Sequence, residues 1–279
     1  MDDDTLATLA AVLETGVEST AELSGGNVGT VYRIETADGR TLAAKVGDTP
    51  LSIEARMLEY LDRESPVPIP TVHFASDNLL VLEYVEGDGQ WTVATERDVA
   101  EYVAALHGCS ADAYGFPLET LSGPFFQSNP WTDSWIEFFR ESRLLAFAER
   151  AHEERTLPAE TLTRVRTLAD RLNEWLVEPD EPALIHGDLW PGNLIVDDES
   201  LQAVLDPAIY FGHDELELAY AASSFGDVFF ERYRERRGID SGFEQRRQVY
   251  DAFHTLENVR FFGRERLDAL HELLDELGV

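Results

Sequence analysis

The chain has 279 residues, 44 % of them hydrophobic, enough to bury a core in one large domain or in two lobes. Its formal net charge of −32 argues against a surface that attracts polyanions, so neither nucleic acid nor an anionic membrane is an expected partner. Of its 22 basic residues only Lys45 is a lysine, and so acidic and lysine-poor a surface predicts adaptation to high salt rather than a particular function.

Residues 2–4 are aspartates and precede Leu6, Leu9, Ala10 and Leu13, the spacing of a short amphipathic helix. The start lacks the basic and apolar stretches of a secretory signal, and the single Cys109 permits no internal disulfide. Together these predict a reduced, cytoplasmic location. No apolar run approaches the roughly 18–20 residues that span a bilayer.

A glycine-rich segment, Ser24-Gly25-Gly26-Asn27-Val28-Gly29-Thr30, leads into Val31-Tyr32-Arg33-Ile34, and a second apolar run, Thr41 to Val46, follows across Asp38-Gly39. Asp-Gly between β-prone runs predicts a hairpin, with Lys45 on its second strand. Thr49-Pro50 predicts a helix start with proline at the first helical position, and Ile53, Met57, Leu58 and Leu61 its buried stripe. Strands are expected near 72–75 and 79–84. The turn-rich Glu86-Gly87-Asp88-Gly89 divides the chain into an N-terminal lobe, 1–86, and a C-terminal lobe, 87–279.

Beyond that break the pattern is helical: 93–107, 131–151, 158–176, 216–225, 245–262 and 264–277. One β island, 183–207, interrupts it. The fold class expected is α+β, with a small β-rich lobe followed by a larger, mainly helical one.

The island carries the chemistry. It reads Leu184-Ile185-His186-Gly187-Asp188-Leu189-Trp190-Pro191-Gly192-Asn193, and then Val204-Leu205-Asp206-Pro207. Phosphoryl transfer needs a carboxylate to orient the acceptor hydroxyl and oxygen ligands that hold Mg2+ on the phosphates. Asp188 suits the first task, and Asn193 and Asp206 the second. Each piece alone is common; the expectation rests on two apolar strands bringing all three to one end of a hairpin. Asp-x4-Asn is also the spacing of a protein-kinase catalytic loop.

Lys45 supports the same reading independently, because a kinase needs a lysine on the strand after the glycine loop to hold the ATP phosphates. Glu54, on the next helix, is its expected ion-pair partner, and Gly25, Gly26 and Asn27 would offer backbone N–H groups to phosphate. The backbone of Glu83 and Val85, in Leu80-Val81-Leu82-Glu83-Tyr84-Val85, is placed to bond adenine. Only eight residues separate Asp206 from Glu215, too few for a peptide-docking activation segment. That points to a small acceptor, or a small group displayed on a protein.

Four segments resemble the fructosamine kinase (ketosamine 3-kinase) family, within the aminoglycoside-phosphotransferase-like kinases. They are 23–27; 123–129 running on through Trp131, Trp135, Phe138-Phe139 and Arg143-Leu144; 186–193 with Asp206-Pro207-Ala208-Ile209-Tyr210-Phe211-Gly212; and 250–263. The resemblance implies a protein-kinase-like two-lobe fold and ATP-dependent phosphorylation of a ketosamine sugar hydroxyl, on a small molecule or a glycated protein amine, in the service of deglycation. It implies Asp188 as the catalytic aspartate, Asn193 and Asp206 as metal ligands, and Trp190, Gln127, Asn129 and Trp135 as acceptor-pocket residues. Pro191 stands where the family commonly has serine, and His213-Asp214-Glu215-Leu216-Glu217 where it has Asp-Arg-Glu-x-Asp. Glu217 thus replaces an aspartate that braces the catalytic loop. The competing readings are a kinase of this fold for an aminoglycoside, choline or homoserine, and a nucleotide-binding pseudokinase.

Overall fold

The computed structural model describes residues 1–23 and 29–279. Its N-terminal lobe is built on an antiparallel five-stranded sheet, β1 (Val17–Leu23), β2 (Thr30–Thr36), β3 (Thr41–Val46), β4 (Val72–Ala75) and β5 (Leu79–Glu83), in the order β1-β2-β3-β5-β4. The β2–β3 hairpin turns over Asp38-Gly39 as expected, with Gly39 at φ 83°.

Alternation along the strands sorts side chains to two faces. Leu42, Ala44, Leu79 and Val81 bury against Leu9 and Leu13 of helix α1 (Asp3–Leu13). Leu80 and Leu82 bury against Leu51, Ala55 and Leu58 of α2 (Leu51–Glu64). Lys45 pairs with Leu80 in register, so it points to the α2 side. Asp2 caps α1, accepting the Thr5 N–H at 2.8 Å. Helix α2 begins one residue later than the sequence suggests: Pro50 is the cap residue, and no side chain caps the helix. Met57 and Leu61, on another side of α2, join the core of the C-terminal lobe and couple the two lobes.

The C-terminal lobe contains α3 (Val93–His107), α4 (Trp135–Phe138), α5 (Ala146–Glu153), α6 (Ala159–Asp170), α7 (Asp214–Ala221), α8 (Asp227–Arg236), α9 (Phe243–Phe262) and α10 (Leu267–Glu276). Helices α4 and α5 run on through a π-helical segment, Phe139–Leu145. Three elements escape the sequence pattern: the three-residue strands β6 (Thr120–Ser122) and β7 (Phe125–Gln127), paired over Gly123, and helix α8.

The β island also differs from expectation. It holds β8 (Ala183–Ile185), β9 (Leu194–Asp197), β10 (Ser200–Val204) and, beyond Pro207, β11 (Tyr210–Gly212). Strand β9 pairs with β10, but β8 pairs with β11, so the polar residues come from two small sheets and not from one hairpin. Backbone bonds carry each pairing beyond its strand ends, Leu205 N–H to Asn193 O at 2.8 Å in the first sheet and Ala208 N–H to His186 O at 2.7 Å in the second. Among the described residues, no helix is long and apolar enough to cross a membrane.

Candidate active site

The Asp188 loop leaves β8 through Gly187, whose φ is +82°. A Cβ there would lie 2.4 Å from the Ala208 carbonyl oxygen, so only glycine lets the Asp188 and Asp206 loops approach this closely. Asp206 itself sits in the left-handed region at φ 48°, a conformation aspartate tolerates better than most residues and one that is common at functional sites.

Five of the expected residues meet here. The Lys45 ammonium donates to both oxygens of Glu54, at 3.0 and 2.8 Å, and to Oδ1 of Asp206. Asn193 Nδ2 donates to Asp188 Oδ2 at 2.8 Å and to the Asp188 carbonyl at 2.9 Å. The Asp188 N–H donates to Nδ1 of His186, whose Nε2–H donates to the Leu205 carbonyl at 3.0 Å.

Lys45 thus serves two carboxylates with one positive charge, in a site where it is 8 % exposed. Burial raises the pKa of Glu54 to about 7, against the pull of Lys45 and with the help of Asp206's charge. Asp206 goes the other way: burial pushes it up, but the charge and hydrogen bond of Lys45 hold it below the ordinary value. Asp188 is raised, chiefly by burial, with His186 and Asn193 opposing.

A metal fits on restricted terms. Among the described residues no three His, Cys, Asp or Glu side chains cluster to hold an ion. Asn193 and Asp206 offer two oxygen ligands, the number magnesium takes from protein when phosphates and water supply the rest.

Glu217 braces the loop despite its departure from aspartate. Its Oε1 accepts the Gly187 N–H at 2.6 Å and its Oε2 the His186 N–H at 3.1 Å. Oε2 also meets His107 Nε2 at 2.7 Å, and His107 Nδ1 meets the Tyr233 hydroxyl at 2.7 Å. Burial raises the Glu217 pKa, but His107 and the backbone donors outweigh it and hold the carboxylate below its usual range.

The other expected residues divide. Gly25, Gly26 and Asn27 lie outside the described residues. Glu83 ends β5, its side chain accepting from the Thr71 N–H and hydroxyl, and Val85 follows, half-buried, where the chain crosses to the second lobe. Trp190 is 38 % exposed beside the catalytic loop. Its ring folds over Gly192, where a Cβ would fall 2.1 Å from Cη2. Gln127 is buried at the end of β7.

Trp135 and Asn129 do not line a pocket. Trp135 is fully buried, stacked on Phe138 and Phe139, with Nε1–H donating to Tyr250 at 2.9 Å; it is core. Asn129 spends its amide on Leu118 O, Thr120 Oγ1 and Gln127 O and its carbonyl on Arg143. Arg143 is completely buried in the π-helical segment. It holds Ser128 O and Asn129 and lies over the Tyr210 ring at 3.8 Å.

A cleft of about 940 Å³ lies between the lobes, with Gly29, Val46 and Gly47 on one side and Phe125, Phe261 and Phe262 on the other. The residues sequence reasoning missed lie beside Gly187 of the catalytic loop: His254 and Glu257 of α9, together with Tyr220 of α7. Three polar residues on helix faces carried no motif to single them out.

Comparison with known proteins agrees with this architecture. The chain is 25 % identical over 276 residues to the chloroplastic protein-ribulosamine 3-kinase of Arabidopsis thaliana, covering 94 % of this chain and 83 % of that one. A crystal structure assigned as a fructosamine-3-kinase from Thermobifida fusca superposes with a TM-score of 0.87 at 29 % identity, covering 99 % of this chain and 98 % of the other. The aminoglycoside phosphotransferase APH(2")-IIa, in a streptomycin–ATP complex, shares the protein-kinase-like fold with a TM-score of 0.70 at 17 % identity, over 99 % of this chain and 96 % of its own. Residues 1–278 match the fructosamine kinase family, and the chain belongs to it.

Proposed function

We propose that this chain transfers the terminal phosphate of ATP to a sugar hydroxyl of a ketosamine, on a small molecule or on a glycated protein amine, as a step in deglycation. The observation that carries the reading is the meeting of Lys45, Glu54 and Asp206 close to the loop that holds the Asp188–Asn193 pair.

Each residue then has a task that follows from its surroundings. Asp188 accepts the hydrogen bond of the attacking hydroxyl and takes its proton as the new O–P bond forms. Its raised pKa, set mainly by burial, makes it a better proton acceptor than a solvated aspartate. Asn193 fixes the orientation of that carboxylate through the 2.8 Å bond. Lys45 steadies the ATP phosphates, and Glu54 keeps the ammonium aimed when Asp206 is otherwise engaged. Asn193 and Asp206 would hold magnesium, which neutralises charge on the phosphates. Backbone of Glu83 and Val85 would receive adenine, and Gly25, Gly26 and Asn27 would cover the phosphates. Trp190, half-exposed beside Asp188, offers an aromatic face to the apolar side of a sugar.

The test is phosphate transfer from ATP to ribulosamine- and fructosamine-bearing acceptors in high salt, with an aminoglycoside, choline and homoserine alongside. Wild type turns over a ketosamine preferentially, while Asp188→Ala and Asp206→Ala stay folded and lose turnover. Near-wild-type ATP consumption by either variant with a ketosamine present, or a clear preference for another acceptor, overturns the reading.

A further inference from the structure

A second, much smaller cavity lies against the catalytic loop. Its volume is about 10 Å³, room for one water-sized group. Gln127, Gly187, Tyr220, His254 and Glu257 are among the residues that line it.

Two features make this cavity more than a packing defect. The first is Gln127, which is 4 % exposed and whose Nε2 has no hydrogen-bond partner among the described residues. A buried amide left unpaired costs about 1–3 kcal/mol, so a native site that keeps one asks for an absent acceptor atom. The second is the pairing of His254. Its Nε2–H donates to the Leu216 carbonyl at 2.9 Å, and its Nδ1 faces Glu257 Oε2 at 3.0 Å. A carbonyl and a carboxylate both only accept, so this imidazole carries a proton on each nitrogen. Glu257 in turn outweighs the effect of burial and raises the pKa of His254.

His254 therefore fixes one oxygen of Glu257 and leaves Oε1 without a partner among the described residues. The cavity is thus lined by Gln127, whose buried Nε2 is an unpaired donor, and by Glu257, whose Oε1 is not committed to any described residue. A hydroxyl group is the smallest group that satisfies both at once, accepting from the first and donating to the second. Tyr220 ties the cavity to the chemistry: its ring lies 5.0 Å from that of His254, and its phenol is raised by burial and by the charge of the adjacent Asp188.

We propose that this cavity is a hydroxyl subsite for the acceptor, in which Gln127 and Glu257 bind one sugar hydroxyl next to the one presented to Asp188, with His254 as the positioning residue for Glu257. The proposal rests on the kinase reading above and adds a specificity rule to it. The acceptor is a polyol with at least two neighbouring hydroxyls, and loss of the second one is penalised. A site built to bond a hydroxyl rejects an analogue lacking it far more strongly than an apolar pocket rejects a missing methylene.

The experiment compares a ketosamine with its set of monodeoxy analogues, using wild type, Gln127→Leu and Glu257→Gln. In the wild type one analogue, other than that lacking the phosphorylated hydroxyl, loses about 100-fold or more in kcat/KM. Gln127→Leu handles the parent and that analogue within about threefold of each other. Its KM for ATP is unchanged, and its Tm is equal or higher because an unpaired buried amide has been removed. A purely structural Gln127 would instead give a lower Tm and the same discrimination as wild type. If every monodeoxy analogue separates wild type and Gln127→Leu equally, the proposal is overturned. If the wild type phosphorylates an aminoglycoside and no ketosamine, the ketosamine reading fails and monodeoxy aminoglycosides judge the cavity by the same criterion.

Discussion

The carboxylate of Glu217 accepts the backbone N–H of Gly187 at 2.6 Å, so the extra methylene of a glutamate is absorbed and the loop carrying Asp188 remains braced. Its other oxygen is shared by the His186 N–H and by His107, which is anchored in turn on Tyr233. Both backbone donors need an acceptor. Glu217→Gln turns an NH2 toward one of them and should lower stability by about 1–3 kcal/mol and kcat by at least about tenfold, with KM for ATP little changed. Glu217→Asp, which withdraws the carboxylate from Gly187, should also lower kcat. Thermal melts and steady-state kinetics check this, and an unaltered kcat in both variants would show that the loop holds its shape without the brace.

The Glu54 carboxyl predicts a pH dependence of the free enzyme. Its pKa rises from 4.5 to about 7 on folding, so between these values the folded state binds more protons than the unfolded one. This group's contribution is therefore complete below about 4.5 and is lost as pH rises through about 7, on the order of 3 kcal/mol in all. Glu54→Gln removes the titration, so the Tm difference, variant minus wild type, should climb between pH 5 and pH 8. A constant difference across that range would contradict the assigned direction.

The contact between Lys45 and Asp206 makes a prediction about ligand binding. If Asp206 turns from the ammonium to a magnesium ion when ATP enters, Mg-ATP should stabilise the wild type by about 2.7 kcal/mol at a hundredfold excess over Kd. Asp206→Asn should lose most of the magnesium-dependent part. Melting curves with ATP alone and with Mg-ATP measure it, and equal magnesium gains in the two proteins would remove Asp206 from the metal site.

Trp190 and Gly192 form a pair that substitution can separate. A Cβ at position 192 would fall 2.1 Å from the indole, so Gly192→Ala must swing the ring away. The expected result is a severalfold rise in KM for the acceptor with KM for ATP unchanged, matching the effect of Trp190→Leu. Normal acceptor kinetics in both variants would make the ring a surface ornament of the loop.

Where local chemistry decides structure, the sequence was readable. The Asp38-Gly39 turn, the buried stripe Met57, Leu58 and Leu61, and the position of Lys45 on β3 all follow from turn propensity and periodicity. The partner of β8 did not follow, because a three-residue apolar strand suits β11 as well as β9 and nothing local records which one lies beside it. Helix α8 hid because its fully buried residues, Phe229 and Tyr233, are too few for a stripe among charged neighbours. Trp135 looked like a sugar platform and is core, since an aromatic run near a helix start reads the same for either fate. His254 and Glu257 are a helical i,i+3 pair like many solvated ones; only the cavity they face distinguishes them.

The single lysine has a chemical consequence of its own. Reducing sugars attack primary amines, and lysine side chains are the usual victims. Here the surface carries arginine in place of lysine, and the one ε-amine is clamped between Glu54 and Asp206 with 8 % of the residue exposed. A protein that meets reducing sugars with no exposed lysine side chain keeps that class of amine out of their reach.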